Sequence, residues 1–206
     1  MIYINDDIEG FDLASAFEEV SVQRRTYALR YLRERDRRLS VAAYLLLCKG
    51  LREEFGIVEK PDFGFGVHGK PFLIGHPDIH FNLSHCDGVC ACVISSHPVG
   101  IDVERILLYE DDVIRRTMNK TEQERIQRSE KPETAFIRLW TMKESLLKLT
   151  GQGLCVDLSS LLNNADRYCF TTDERDGYML TVCEEKDERN RMLHLQENLA
   201  IKISNN

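Results

Sequence analysis

The apolar residues of this chain change their period partway along, and that change does most to restrict its fold. Leu39, Ala42, Ala43, Leu46, Leu47 and Leu51 recur at helical spacing. They predict one long helix from about Asp36 to Phe55 with a single buried stripe and Gly56 as its stop. Two shorter helical stretches precede it, roughly Asp12 to Glu19 and Ser21 to Leu32. From Pro61 the spacing shortens. Phe63 to Val67 reads as a glycine-punctuated strand and His68-Gly69-Lys70-Pro71 as a turn. Ile79 to Leu83 alternates as a strand, and Val89 to Ile94 is a nearly continuous apolar strand. His97-Pro98 breaks the chain, and Val99 to Glu104 is another strand. The order then repeats. Helices are expected near Glu110 to Met118, Thr121 to Gln127 and Pro132 to Thr150, the last closed by Gly151-Gln152-Gly153. Strands follow near Arg167 to Thr172, Tyr178 to Cys183 and Met192 to Gln196, before an Asn205-Asn206 tail. Helices then strands, twice over, predict an α+β protein of two α/β halves, 1–98 and 99–206, meeting near Pro98.

Composition narrows the function classes. The 206 residues are 43% hydrophobic and 30% charged, which suits a packed core and excludes long disorder. The longest uncharged apolar run, Val41 to Cys48, is too short to span a bilayer, so no membrane partner is expected. The start, Met1 to Asp7, has no signal-peptide pattern, so the expected location is cytoplasmic. Seven cysteines without a C-x-x-C pair are read as free thiols rather than a zinc site. A net charge of −7 argues against nucleic-acid binding. One segment reverses that sign. Between Arg24 and Arg38 lie seven arginines against Glu34 and Asp36. That pattern suits either an anionic ligand or a solvated helix face with i,i+4 pairs.

Three constellations could carry chemistry. In the strand Val99 to Glu104, Asp102 and Glu104 share a face while Ile101 and Val103 point to the core. Two carboxylates side by side repel unless a cation sits between them, and oxygen ligands suit Mg²⁺. The plain alternative is a solvent-facing strand edge. In the helix after Pro132, Glu144 and Lys148 lie one turn apart, flanking a stripe of Phe136, Leu139, Trp140 and Leu147. The plain reading there is an exposed ion pair. Lys143 falls inside the apolar stripe, so it must snorkel or find an anionic partner. Finally, Asn82-Leu83-Ser84-His85 ends a strand, where a Ser-His pair can bind phosphate or cap a turn. No G-x-S-x-G, Walker A or G-x-G-x-x-G pattern is present.

The order and spacing of these motifs are more specific than any one of them. Gly69-Lys70-Pro71, Phe81-Asn82-Leu83-Ser84-His85, Val99-Gly100-Ile101-Asp102-Val103-Glu104 and Trp140 to Lys148 together resemble the 4′-phosphopantetheinyl transferase superfamily. The match runs from about Arg24 to Leu154. The length resembles the Sfp-like group, whose monomers contain two similar halves, rather than the short trimeric carrier-protein synthases. The resemblance implies a pseudo-duplicated fold with the active site at the interface of the halves. It also implies transfer of the phosphopantetheine arm of coenzyme A to a serine of an apo acyl or peptidyl carrier protein. Adenosine 3′,5′-bisphosphate would be released. By the same resemblance Asp102, Glu104 and Glu144 hold Mg²⁺, and Glu144 activates the serine. Lys148 then stabilises the pyrophosphate or leaving group. Arg35, just before the long helix, Lys70, Ser84 and His85 contact coenzyme A phosphates, and Leu107 to Ser129 helps dock the carrier. The chemistry is coherent, since displacement at phosphorus builds negative charge that a metal and a lysine can stabilise. Two other classes compete: a metal-dependent phosphohydrolase of nucleotides, and a non-catalytic module that binds coenzyme A or carrier protein.

Overall fold

The computed structural model describes residues 1–153 and 156–186. The expected strand at Met192 to Gln196 and the tail lie outside the described residues. Strand β1 (Ile2–Asn5) leads into α1 (Leu13–Glu19), α2 (Val22–Ala28) and the long α3 (Glu34–Phe55). Side chains set the helix starts: Asp12 accepts from the Ala14 and Ser15 amides, and Ser21 from the Arg24 amide. Gly56 ends α3 at φ 68°, a conformation open to glycine without strain. Two sequence expectations need correction. The second helix stops at Ala28 instead of Leu32, where a turn formed by Arg30 N–H to Tyr27 O and Tyr31 N–H to Ala28 O replaces it. Arg35 sits in the first turn of α3, since the helix begins two residues before Asp36.

Strands β2 (Phe63–Phe65) and β3 (Pro71–Leu73) form a small hairpin, shorter than the expected 63–67 strand. Strands β4 (His80–Cys86) and β5 (Val89–Ser95) pair antiparallel around Gly88, and β1 adds to the other edge of β5, giving the order β1-β5-β4. Strand β6 (Val99–Arg105) starts the next sheet. Helices α4 (Asp111–Thr117), α5 (Lys120–Gln127) and α6 (Pro132–Thr150) follow, then a 3-10 segment (Leu158–Arg167) that sequence reading did not assign, although Leu158, Leu161, Leu162 and Ala165 recur at helical spacing. Strands β7 (Tyr168–Arg175) and β8 (Tyr178–Glu185) complete the sheet in the order β6-β8-β7, all antiparallel.

Alternation along the strands assembles these pieces into layers. Cys92 and Ile94 of β5 pack with Leu47 and Leu51 of α3, and Cys90 packs with Ala42 and Ala43. The opposite face of β5, Val89, Ala91 and Val93, meets Val99, Ile101 and Val103 of β6 and Tyr178, Leu180 and Val182 of β8. The far face of β6 and β8 is covered by α6: Met179 packs with Phe136 and Ile137, and Cys183 with Leu146 and Leu149. The resulting order is helix, sheet, sheet, helix. Burial on both faces explains why β5 reads as an unbroken apolar run.

Two details fix the spacing around β6. An added Cβ at Gly100 would lie 2.0 Å from the Ser145 carbonyl oxygen and 2.6 Å from the Leu149 nitrogen, so only glycine lets α6 approach this closely. On the outer edge of β6, the Ile101 amide donates to Asn82 Oδ1 at 2.9 Å and the Val103 amide to Ser84 Oγ at 3.2 Å. Side chains of β4 thus take the place of the carbonyls a neighbouring strand would supply to these two amides.

Candidate active site

The site forms where β4, β6 and α6 meet. Asp102 is 3% exposed and α6 covers its strand face, so the plain alternative of a solvent-facing edge does not hold there. Its Oδ1 accepts from Lys148 Nζ at 2.6 Å and from Ser84 Oγ at 3.0 Å. Lys148 Nζ also donates to Ser84 Oγ at 2.7 Å. With the Val103 amide, Ser84 Oγ has two donors aimed at it and spends its one proton on Asp102. Asp102 Oδ2 is buried and has no partner. Lys148 thus pairs with Asp102, and the plain alternative of an exposed Glu144–Lys148 ion pair does not describe this face.

Glu104 and Glu144 are half-buried beside this pair. Burial and then the Asp102 charge push the Glu104 carboxyl up to about 7, with Lys148 and the Trp140 indole acting the other way. The Glu144 carboxyl is raised for the same two reasons, with Lys148 opposing. Oxygen-only ligands, shared negative charge and an unpartnered buried oxygen fit a hard dication such as Mg²⁺. Among the described residues no three metal-ligating side chains converge into a ready-made cage. The fit lies in the donor chemistry, with Lys148 supplying the positive charge to Asp102 in this arrangement.

A cleft of about 220 Å³ opens over the site, lined among others by Lys70, Asn82, Glu144, Lys148 and Gly151. Lys70 also lines an adjoining cleft of about 440 Å³ with His80 and Phe81. Its ammonium donates to the Leu149 carbonyl at 2.8 Å and the Val99 carbonyl at 3.4 Å, and burial lowers its pKa. His85 keeps an exposed edge, yet crowding by surrounding atoms and then the Lys148 charge lower its pKa below the usual imidazole value. Arg35 is exposed and paired with Asp87. A larger groove of about 760 Å³ lies between α5 and α6 around Arg125 and Arg138, but none of the expected site residues lines it.

The arginine segment divides. Arg24 stacks over Tyr27 and Tyr44 and donates to the Ser40 carbonyl and hydroxyl. Arg37 donates to the Tyr31 carbonyl, and Arg38 to Glu34 and the Glu9 carbonyl. Those three hold α2, α3 and the N-terminal loop together, so much of the segment's charge serves structure. Lys143 finds the anionic partner its position demanded: it is 1% exposed and its ammonium lies 2.6 Å from Glu122 Oε2. Sequence reading assigned no role to Asn82, Gly100 or Glu122. The signals were a polar residue in a buried strand, a glycine within one, and the capping-box pattern Asn119 to Glu122.

Comparison with known proteins bears on the family to which the chain belongs. A family model described as the 4′-phosphopantetheinyl transferase superfamily matches residues 98–203. The chain is 27% identical over 201 residues to a 4′-phosphopantetheinyl transferase of Bacillus subtilis, covering 88% of this chain and 89% of that one. It is 28% identical over 183 residues to 4′-phosphopantetheinyl transferase Sfp of Bacillus subtilis (strain 168), covering 80% and 81%. It is 36% identical over 146 residues to 4′-phosphopantetheinyl transferase gsp of Aneurinibacillus migulanus, covering 68% and 60%. With a family match over half its length and relatives aligned along most of it, the chain belongs to the 4′-phosphopantetheinyl transferase superfamily, in its Sfp-like group, and is an enzyme of the phosphopantetheinyl transferase type.

Proposed function

We propose that this protein transfers the phosphopantetheine arm of coenzyme A to a serine of an apo acyl or peptidyl carrier protein and releases adenosine 3′,5′-bisphosphate. The observation that carries the reading is the buried, unpartnered Asp102 Oδ2 beside Glu104, Glu144 and Lys148. Asp102, Glu104 and Glu144 would hold Mg²⁺, which when bound offsets charge on the pyrophosphate oxygens. The serine oxygen forms the new bond to phosphorus, the bond to the adenosine-side phosphate breaks, and Glu144 takes the serine proton. Glu144 lines the cleft over the site, on the same helix as Lys148, where an incoming hydroxyl could reach it. Lys148 uses two of its three N–H donors on Ser84 and Asp102 and keeps the third for a phosphate or leaving-group oxygen. Lys70 likewise keeps one donor beyond its two carbonyls. His85, with a lowered pKa, would meet phosphate as a neutral imidazole N–H donor, and Arg35 as an exposed cation. Ser84 reaches a phosphate only by turning its proton away from Asp102.

In this reading the chain divides near Pro98 into related halves with the site between them. Each half sets one long helix on an antiparallel sheet, and Asn82 and Ser84 bind the β6 backbone across the join. The enzyme works as a cytoplasmic monomer, and α4 and α5 offer the carrier its docking segment. No helix among the described residues is long and apolar enough to cross a membrane. The test incubates the protein with coenzyme A, Mg²⁺ and an apo carrier and weighs the carrier. A gain of one phosphopantetheine is expected. Coenzyme A breakdown without an acceptor would point to a phosphohydrolase, and binding without turnover to a non-catalytic module.

A further inference from the structure

The buried pair Lys143–Glu122 lies one residue from Glu144, and at about 100° per residue it faces away from the carboxylates. The Lys143 ammonium donates to Glu122 Oε2 at 2.6 Å, to the Thr117 carbonyl at 2.8 Å and to the Leu158 carbonyl at 2.9 Å. Those three acceptors belong to the N-terminal turn of α5, the last residue of α4 and the first residue of the 3-10 segment. All three ammonium donors are used, each on a different element. Glu122 is shared in turn, because its Oε2 also accepts the Asn119 amide at 2.8 Å and its own amide donates to Asn119 Oδ1 at 2.9 Å. Asn119 then reaches the 3-10 segment through Asn163 at 3.2 Å.

A buried ion pair is seldom the most stabilising choice, since apolar residues of similar volume often do as well. What the charge adds here is direction: one point ties three segments to α6. We infer that Lys143 is a positioning residue that locks the α4–α5 segment and the 3-10 segment onto α6, so that a carrier held on α4 and α5 is held in register with Glu144. The docking half of this inference rests on the proposed function; the locking half does not.

The test uses the full chain with Lys143→Met and Glu122→Leu combined, which removes both charges and strands neither. Hydrogen exchange should speed up across residues 111–127 and 158–167 while α3 keeps its wild-type protection. In transfer assays the KM for the carrier should rise about tenfold or more, while the KM for coenzyme A stays within about twofold, because a small misplacement acts on the held partner. Unchanged exchange in those segments overturns the lock. Faster exchange with a wild-type carrier KM overturns the positioning role and leaves the pair structural. Should the double variant fail to fold, Lys143→Met alone, which removes all three links while Glu122 keeps the Asn119 amide, goes through the same measurements with the same criteria. If the wild-type protein transfers nothing, the proposed function fails, and the exchange arm still decides the lock.

Discussion

The Lys148 ammonium lies 2.6 Å from Asp102 Oδ1, and Ser84 Oγ bonds to both. A lysine legible as a surface residue one turn from Glu144 is instead the counter-charge of a buried carboxylate on a different element. The Lys148 side chain is 28% exposed and that of Asp102 is 4%, so the aspartate depends on the pair more than the lysine does. Lys148→Ala should lower single-turnover transfer about 10²–10³-fold, the usual loss for one charge-stabilising group. It should also destabilise the protein in chelator by about 1–2 kcal/mol, discounted from a fully buried pair because the lysine is partly solvated. Urea unfolding with and without Mg²⁺ checks the second outcome. Wild-type transfer by this variant would reduce Lys148 to a structural partner.

Asp102→Ala removes the carboxylate with the unpartnered oxygen. Transfer should fall to near background, and Mg²⁺, which should raise the unfolding temperature of the wild type, should leave that of the variant unchanged. The variant should stay folded, because loss of the Lys148 pair is offset by relief of repulsion with Glu104 and Glu144. Chelator should abolish wild-type transfer and Mg²⁺ should restore it; full activity in excess chelator would remove the metal from the mechanism.

Gly100→Ala should cost about 1–3 kcal/mol, the range for overpacking, since its Cβ would meet the α6 backbone rather than a mobile side chain. As α6 shifts, Glu144 and Lys148 move away from Asp102. Activity should therefore fall more than stability, and comparing transfer at a temperature where the variant remains folded separates the two.

The pH dependence of the metal-free protein follows from Glu104. Its carboxyl is raised to about 7 in the folded protein from 4.5 as the reference value. The folded state thus holds a proton that the unfolded chain has lost, and this contribution to stability is present at low pH. It disappears as pH rises from about 4.5 through about 7. Urea midpoints in chelator should decline over that window, and Glu104→Gln should flatten the decline. Equal slopes in the two proteins would show that other groups titrate there.

Much of the site is legible in the sequence because its parts are local. The D-x-E alternation puts Asp102 and Glu104 on one face, helical spacing puts Glu144 and Lys148 on one side of α6, and Pro132 and Gly151 bound that helix. The polar lysine within an apolar stripe demanded a partner, and the sequence alone showed that demand at Lys143. The identity of that partner, Glu122, depends on how α5 packs on α6. The same limit separates the Glu144–Lys148 surface pair that helical spacing alone allows from the Lys148–Asp102 pair. Local periodicity says which way a side chain points on its own element, whereas charge pairing depends on what another element brings within reach. Gly100 illustrates the difference: in sequence it is a weak spot in a strand, but against α6 it is the space that lets a helix carboxylate approach two strand carboxylates. The element types followed from hydrophobic period, and the assembly of the site followed from packing across β4, β6 and α6, because burial and charge compensation exist only once those surfaces meet.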